Sequence, residues 1–198
     1  MKVVVIGAGY AGTMAANRLA RRGRGVQITV VNPRAEFVER IRLHQLIAGS
    51  GAATRPLRDV LDDSIMCRVA SAAKVGDGTV LLDDGDELEY DRLVYAAGGA
   101  VVAPEGTFAV GGFDDAGRAA TRLAALPSAA RVVVVGGGLT GVETAAEVAS
   151  RRPDLRVRLV SDAPVAGSLG TSARPRGGGA HRTERRRGAR RVERRRPL

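Results

Sequence analysis

The sequence predicts an α/β chain of the doubly wound type, and three observations carry that expectation. The opening residues, KVVVIGAGYAG, set four β-branched residues, Val3 to Ile6, directly before Gly7, Gly9 and Gly12 in G-x-G-x-x-G spacing. The pattern returns 129 positions later, from Gly7 to Gly136, as RVVVVGGGLTG, with Val132 to Val135 leading into Gly136, Gly138 and Gly141. Each copy then enters an Ala-rich stretch of helical period and a second short apolar run. In such a strand, turn and helix the first glycine makes the turn, the second lets a pyrophosphate approach the backbone, and the third lets the helix pack close to the strand. The free amides and the dipole at the helix start complement negative charge.

The remaining elements follow in order. A helix is expected from Tyr10 through Ala11, Met14, Ala15, Leu19 and Ala20 to Arg22, stopping at Gly23, then a strand from Val26 to Val31 ending at Asn32-Pro33. The tip of that second strand is where a nucleotide-binding chain grips the adenosine ribose, usually with a carboxylate. Asn32 stands there instead; it can bond a hydroxyl through its amide, or simply open a turn with Pro33.

Residues 36–48 have Phe37, Ile41, His44 and Ala48 at helical spacing, which predicts a helix ended by Gly49. Its polar groups, Arg40, Arg42, His44 and Gln45, either meet a flavin or its phosphates or form a solvated face around a core histidine. A second short helix is expected from Arg55-Pro56-Leu57 to Leu61. Between Ile65 and Tyr90 short strands alternate with turn residues: Met66 to Ala70, Ala72 to Val75, Val80 to Leu82 and Glu87 to Tyr90. These predict a small antiparallel excursion. The acidic turn from Asp83 to Glu89 lacks the ligand period of a calcium loop and is expected to be a solvated turn.

A strand from Arg92 to Tyr95 then breaks into Ala96, Ala97, Gly98 and Gly99, small residues that leave room for a ligand. A helix is expected from Asp114 to Leu126, closed by Pro127, and after the second glycine loop a helix from Leu139 to Ser150 and a strand from Val157 to Val160. Ser161-Asp162 occupies the ribose-reading position of the second copy. A carboxylate there repels a 2′-phosphate and favours NADH over NADPH.

Composition narrows the function classes. The net charge of +10 is local: residues 171–198 hold eleven Arg against Glu184 and Glu193, leaving the body near neutral. One cysteine, Cys67, excludes a redox dithiol within the chain and a cysteine metal cluster, and no metal site is expected. No apolar run approaches the roughly 20 residues of a membrane span. Met1-Lys2 leads straight into the first strand, with no cleavable leader, so a cytoplasmic protein is expected.

The order GAGYAG, LVYAAGG and VVVVGGGLTGVETAAEVA resembles the FAD-dependent pyridine nucleotide-disulfide oxidoreductases over residues 1–168. The segment NPRAEFVERIRLHQL is similar to the subgroup of type II NADH dehydrogenases and apoptosis-inducing-factor-like reductases. The resemblance implies a Rossmann-like FAD-binding lobe at residues 1–105, a linker with a helix at 106–130, and part of an NAD(P)-binding lobe at 131–168. It implies FAD on Gly7, Gly9, Tyr10, Ala11 and Gly12, with Asn32 at the ribose, Val69 at the adenine through its backbone, Arg42 near the phosphates, and Ala97 and Gly98 along the flavin. NADH, with NADPH the weaker choice, falls to Gly136, Gly138, Leu139, Thr140, Gly141 and Glu143.

The implied chemistry is hydride transfer from nicotinamide to flavin, then electron release to a quinone or another small acceptor. No residue stands out as a general acid, base or nucleophile. Contact with the inner membrane face is compatible with that chemistry.

The family pattern stops near Gly170. Residues 169–198 have no apolar period and are expected to be disordered. They have the composition of GC-rich DNA read out of frame, which implies a chain truncated relative to its family. A basic arm for an anionic membrane or for nucleic acid is the alternative, although no aromatic lies among the arginines to stack on bases. Three functions therefore stand open: a flavin oxidoreductase, an inactive nucleotide-binding fragment, and an Arg-tailed nucleic-acid-binding protein. An uncovered apolar edge on the partial second sheet predicts poor solubility.

Overall fold

The computed structural model describes residues 1–165 and the backbone of 183–186 and 189–192. The chain divides into two compact units, Met1–Glu39 with Thr54–Ala100, and Arg40–Ala53 with Val101–Leu198.

The first unit is built on β1 (Lys2–Ile6), α1 (Tyr10–Arg22) and β2 (Gln27–Asn32). Its four-stranded sheet has the order β5-β2-β1-β9, with β5 at Met66–Val69 and β9 at Arg92–Tyr95, all parallel. The four residues Val3 to Ile6 are buried because both faces of β1 are covered. Val3 and Val5 pack with Ala16 and Leu19 of α1. Val4 and Ile6 pack with Val80 and Leu82, which belong to an antiparallel layer of β6 (Ala72–Val75), β7 (Thr79–Leu82) and β8 (Glu87–Glu89).

Three local expectations need correction. Met66–Val69 is not part of the antiparallel excursion: it lies parallel beside β2, Thr29 opposite Met66 and Asn32 opposite Val69. The helix expected over 36–48 is three pieces. Glu36–Val38 is β3, paired antiparallel with β4 (Thr54–Pro56); Arg40–Arg42 is a 3₁₀ turn; and only Leu43–Ala48 is α-helical, as α2, stopped by Gly49 at φ +68°. Phe37 sinks into the core of the first unit with Leu57 and Leu61, whereas Leu43, Ile47 and Ala48 are buried in the second. A single helix cannot serve both cores, and Ile41, which the helical period places inside, is 69% exposed. The helix expected from Arg55 is replaced by β4 and a 3₁₀ turn at Leu57–Asp59, since Pro56 is extended at ψ 135° and Leu57 is drawn into the core.

The acidic turn is held by internal partners. Arg68 bridges Asp84 and Asp86, and the Ser71 backbone N–H donates to Asp83 Oδ1 (2.9 Å). That bond holds the Asp83 carboxyl below its ordinary value. Cys67 is free and exposed, and partial desolvation raises its thiol above the ordinary value.

The second unit repeats the plan with β10 (Arg131–Val135), α4 (Leu139–Arg151) and β11 (Arg156–Ser161), β10 and β11 being parallel. Helix α2 packs against both α3 (Phe113–Ala124) and α4, and the Arg152 guanidinium donates to the carbonyls of Leu123 and Leu126 while pairing with Asp154. Within the tail expected to be disordered, β12 (Thr183–Arg186) and β13 (Ala189–Val192) pair antiparallel, and β13 pairs antiparallel with β11. Two free ladder edges satisfy one another there despite the polar composition. The rest of the tail, residues 166–182, 187–188 and 193–198, lies outside the described residues.

Ala129 has φ +66°, held by its N–H bond to the Asp154 carbonyl (2.8 Å). A Cβ in that left-handed region is strained, so Ala129→Gly is expected to stabilise the second unit by about 0.5–1 kcal/mol, after the entropy lost by glycine is subtracted. Urea unfolding at unchanged m-value measures it.

Candidate functional site

In the first unit the ends of β1, β2 and β9 meet at the Gly7 loop, with the end of β5 beside that of β2. Gly7 takes φ +96°, which strains an L side chain, and its N–H donates to the Val31 carbonyl (2.8 Å). A Cβ on Gly7 would meet the Ala96 carbonyl oxygen at 2.4 Å, and one on Gly12 would meet the Gly7 carbonyl oxygen at 1.8 Å. Gly9 differs: a Cβ there meets nothing within 4 Å. The outer glycines are therefore required by the protein's own packing, and the middle one faces open space, as a cradle for a ligand requires.

Gly9 is also the N-cap of α1. The first intrahelical bond runs from the Thr13 N–H to the Gly9 carbonyl, so the amides of Tyr10, Ala11 and Gly12 have no acceptor within the helix. No acidic side chain occupies the first turn. The site's donor set is suited to an anion. The Tyr10 ring packs edge-on against Phe37, centroids 5.0 Å apart, walling the loop on one side.

Asn32 acts as a clasp. Its Oδ1 accepts from the Ala8 N–H (3.0 Å), inside the glycine loop, and its Nδ2 donates to the Arg34 carbonyl (2.7 Å). One amide hydrogen and one lone pair stay available to a ribose hydroxyl. Asn32→Ala is expected to destabilise the first unit by about 1–2 kcal/mol by leaving the Ala8 N–H without its acceptor. Asn32→Asp should recover part of that, since a carboxylate accepts from Ala8 but cannot donate to Arg34; thermal melts of both variants decide it.

Val69 sits opposite Asn32 at the exposed end of β5, and Ala97 lies against Gly7, so the expected adenine and flavin residues share one end of the sheet. Gly98, at φ +74°, continues that turn. Arg42 and the α2 residues belong to the second unit.

The second loop has the same construction. Gly136 takes φ +114° and its N–H donates to the Val160 carbonyl (2.8 Å). A Cβ on Gly141 would meet the Gly136 carbonyl oxygen at 2.0 Å, while Gly138, the N-cap of α4, faces nothing within 4 Å. Leu139 and Thr140 open the helix, again with no acid in its first turn. Glu143, one turn further on, has the His44 Nδ1 4.0 Å from its Oε2.

The sequence assigned the ribose-reading position to Ser161-Asp162 jointly, and the register resolves the pair. Ile6 lies opposite Val31 and Val135 opposite Val160, so Ser161 is the counterpart of Asn32 and exposed Asp162 lies one residue beyond. Ser161 is buried, and its Oγ lies 2.3 Å from where a Gly137 Cβ would stand. The part of Ala8 was not legible in the sequence, because it is played by a backbone N–H, and which of Ser161 and Asp162 matches Asn32 depends on strand register. The G-x-G-x-x-G spacing itself was the signal that located their neighbours.

Comparison with known proteins agrees with this geometry. The profile of the pyridine nucleotide-disulphide oxidoreductase family matches residues 1–174. An NADH dehydrogenase-like protein of Mycobacterium tuberculosis is 36% identical over 206 residues, covering 88% of this chain and 51% of the relative. The ferredoxin–NAD(+) reductase component of the p-cumate 2,3-dioxygenase system of Pseudomonas putida is 32% identical, covering 82% and 43%. Among solved structures, NDH2 of Plasmodium falciparum superposes with a TM-score of 0.67 at 19% identity, covering 86% of this chain and 43% of that one, a likeness of fold. The chain thus spans about half the length of the curated relatives it matches. Two glycine loops of one design, each between a pair of parallel strands, and a family match along nearly the whole described chain make this protein a member of the pyridine nucleotide-disulphide oxidoreductase family.

Proposed function

We propose that the chain is the nucleotide-binding part of an FAD-dependent NAD(P)H oxidoreductase that delivers electrons to a quinone or another small acceptor. The observation that carries this reading is the pair of open cradles at Gly9 and Gly138, each flanked by glycines that the protein's own backbone demands. In the first unit the amides of Tyr10, Ala11 and Gly12 would hold the FAD pyrophosphate, and Asn32 would keep the loop against β2 while offering its remaining amide hydrogen to the ribose. Ala97 and Gly98 would leave room along the flavin. In the second unit the loop from Gly136 to Gly141 would hold the pyrophosphate of NADH, with Glu143 accepting hydrogen bonds from the nucleotide. Flavin, when bound, supplies the acceptance of a hydride and its release as single electrons. The chain supplies position and electrostatics.

Asp162, exposed beside the strand tip, supports a preference for NADH, because its carboxylate opposes a 2′-phosphate. No helix among the described residues is long and apolar enough to cross a membrane, so contact with a membrane-dissolved quinone would be peripheral.

The test is the visible spectrum of the purified chain with FAD, before and after NADH without oxygen. Flavin bands that appear on reconstitution and bleach with NADH support the reading. A chain that takes up neither nucleotide overturns it and leaves the inactive-fragment reading, which the half-length match to the relatives favours.

A further inference from the structure

The residue at the tip of β2 is neutral, and its own hydrogen bonds require that. Asn32 Oδ1 accepts from the Ala8 N–H (3.0 Å), and Asn32 Nδ2 donates to the Arg34 carbonyl (2.7 Å). An N–H only donates and a carbonyl only accepts, so the side-chain amide is fixed in this one orientation. A carboxylate in its place would set an oxygen against the Arg34 carbonyl oxygen with no proton between them. The turn after β2 therefore selects an amide over the carboxylate that ordinarily grips an adenosine ribose at this point.

That orientation sets what a ligand meets. The hydrogen left on Nδ2 is a donor, and an anionic oxygen is its strongest partner. A carboxylate would accept from a ribose hydroxyl and repel a phosphate placed on it. Within residues 32–36 only half-buried Arg34 and exposed Glu36 are charged, and they are of opposite sign. The second unit differs at the same place. The Ser161 hydroxyl is buried and accepts from the Ala163 N–H (3.3 Å), and beside it Asp162 exposes a carboxylate.

We propose that the first loop also accepts an adenine dinucleotide whose ribose carries a 2′-phosphate, the chemical class of NADP(H), and that this ligand competes there with FAD. The inference rests on reading the first loop as a pyrophosphate cradle. Both ligands share the adenosine diphosphate half that the cradle would hold. They differ at the ribose, where the same Asn32 N–H would donate to a hydroxyl in one and to a phosphate in the other. At the second loop the Asp162 carboxylate opposes that phosphate. The 2′-phosphate thus sorts dinucleotides between the two loops, and an excess of the phosphorylated form would hold flavin out of the first.

The probes are ADP-ribose and its 2′-phosphate, added to an isotope-labelled sample of the full chain. Binding is followed by NMR at the amides of Tyr10, Ala11 and Gly12 and, separately, at those of Leu139, Thr140 and Gly141. At the first set the 2′-phosphate is expected to bind as tightly as ADP-ribose, within about threefold, or more tightly; at the second set it should bind at least about tenfold more weakly. Excess FAD should displace either probe from the first set. A 2′-phosphate that weakens binding at the first set by more than about threefold overturns the proposal, as does one that stays bound there beside FAD. Equal affinity ratios at the two sets overturn the sorting between loops. Asn32→Asp should shift the ratio at the first set against the 2′-phosphate by at least about tenfold, and an unchanged ratio overturns the role given to Asn32. The ratio does not depend on how much of the variant is folded, and the unsubstituted chain alone decides the case if the variant does not fold. If neither probe moves the first set of amides, the cradle reading fails and this inference with it. If ADP-ribose binds there and its 2′-phosphate does not, the cradle stands and only this inference falls.

Discussion

On the proposed reading of the first loop as the FAD site, Gly12→Ala will abolish flavin uptake and sharply lower the melting temperature of the first unit together, whereas Gly9→Ala will leave the melting transition in place and weaken only the nucleotide. The two glycines stand three residues apart in one motif, yet they are required for opposite reasons. A methyl on Gly12 would lie 1.8 Å from the Gly7 carbonyl oxygen, and that carbonyl cannot yield, because Gly7 is itself fixed by its bond to Val31 and its approach to Ala96. Relieving the overlap means separating α1 from β1, which exposes Ala16 and Leu19 and costs about 3–5 kcal/mol, most of the stability of a unit at the low end of the ordinary range.

A methyl on Gly9 has free space around it, and Gly9 already has φ −77°, a conformation alanine adopts. The cost to the fold is that of a poorer helix cap, under about 1 kcal/mol. The cost to binding is larger, since the methyl occupies the space a pyrophosphate needs; a loss of about tenfold or more in FAD affinity corresponds to at least about 1.4 kcal/mol. Differential scanning calorimetry and flavin titration separate the cases. If Gly9→Ala melts like Gly12→Ala, or if Gly9→Ala binds flavin normally, the cradle is wrongly assigned. Gly141→Ala and Gly138→Ala form the corresponding pair for the second unit, with the Gly136 carbonyl 2.0 Å from the Gly141 Cβ position.

The parts of the fold that were legible in the sequence are those specified within a few residues. The strand from Val3, the glycine turn and the helix to Arg22 depend on contacts between neighbours in sequence, and their spacing states them directly. The same holds for Arg131 to Arg151. What escaped was decided by distant contacts. Phe37 and His44 share a helical period, but Phe37 is drawn to Tyr10 and Leu57 while His44 lies beside Glu143, so the chain breaks between them. Met66 to Val69 alternate no more clearly than the strands that follow, and only pairing with β2 assigns them to the parallel sheet.

At the site, the residue types at Asn32 and Ser161 were visible, and their partners were not. Asn32 bonds the backbone of Ala8, and backbone atoms leave no mark in a sequence. The open face of β10 was legible in outline, as a sheet with too few strands, but its extent depends on which side α4 covers.

That dependence makes the sharpest contrast between the two copies. Val4→Asp will unfold the first unit, and Val133→Asp, at the corresponding position in the same four-residue valine-rich run, will change stability by no more than about 0.5 kcal/mol. Val4 is 2% exposed and packs with Val31, Val80 and Leu82; a carboxylate among them has no cation or donor and must either pay several kcal/mol to remain charged or take up a proton to become neutral. Val133 is 55% exposed, so its carboxylate would stay hydrated, and Arg158 lies opposite it across the β10–β11 ladder.

The second substitution should also improve behaviour in solution. Val133 and Val135 form an apolar stripe on an edge strand, the arrangement that promotes association between chains, and one charge on such a stripe opposes it. Light scattering against concentration should therefore fall for Val133→Asp while its melting temperature holds. Equal damage from the two substitutions would mean that β10 is covered on the face where Val133 lies, and the repeat in sequence would then extend to a repeat in packing.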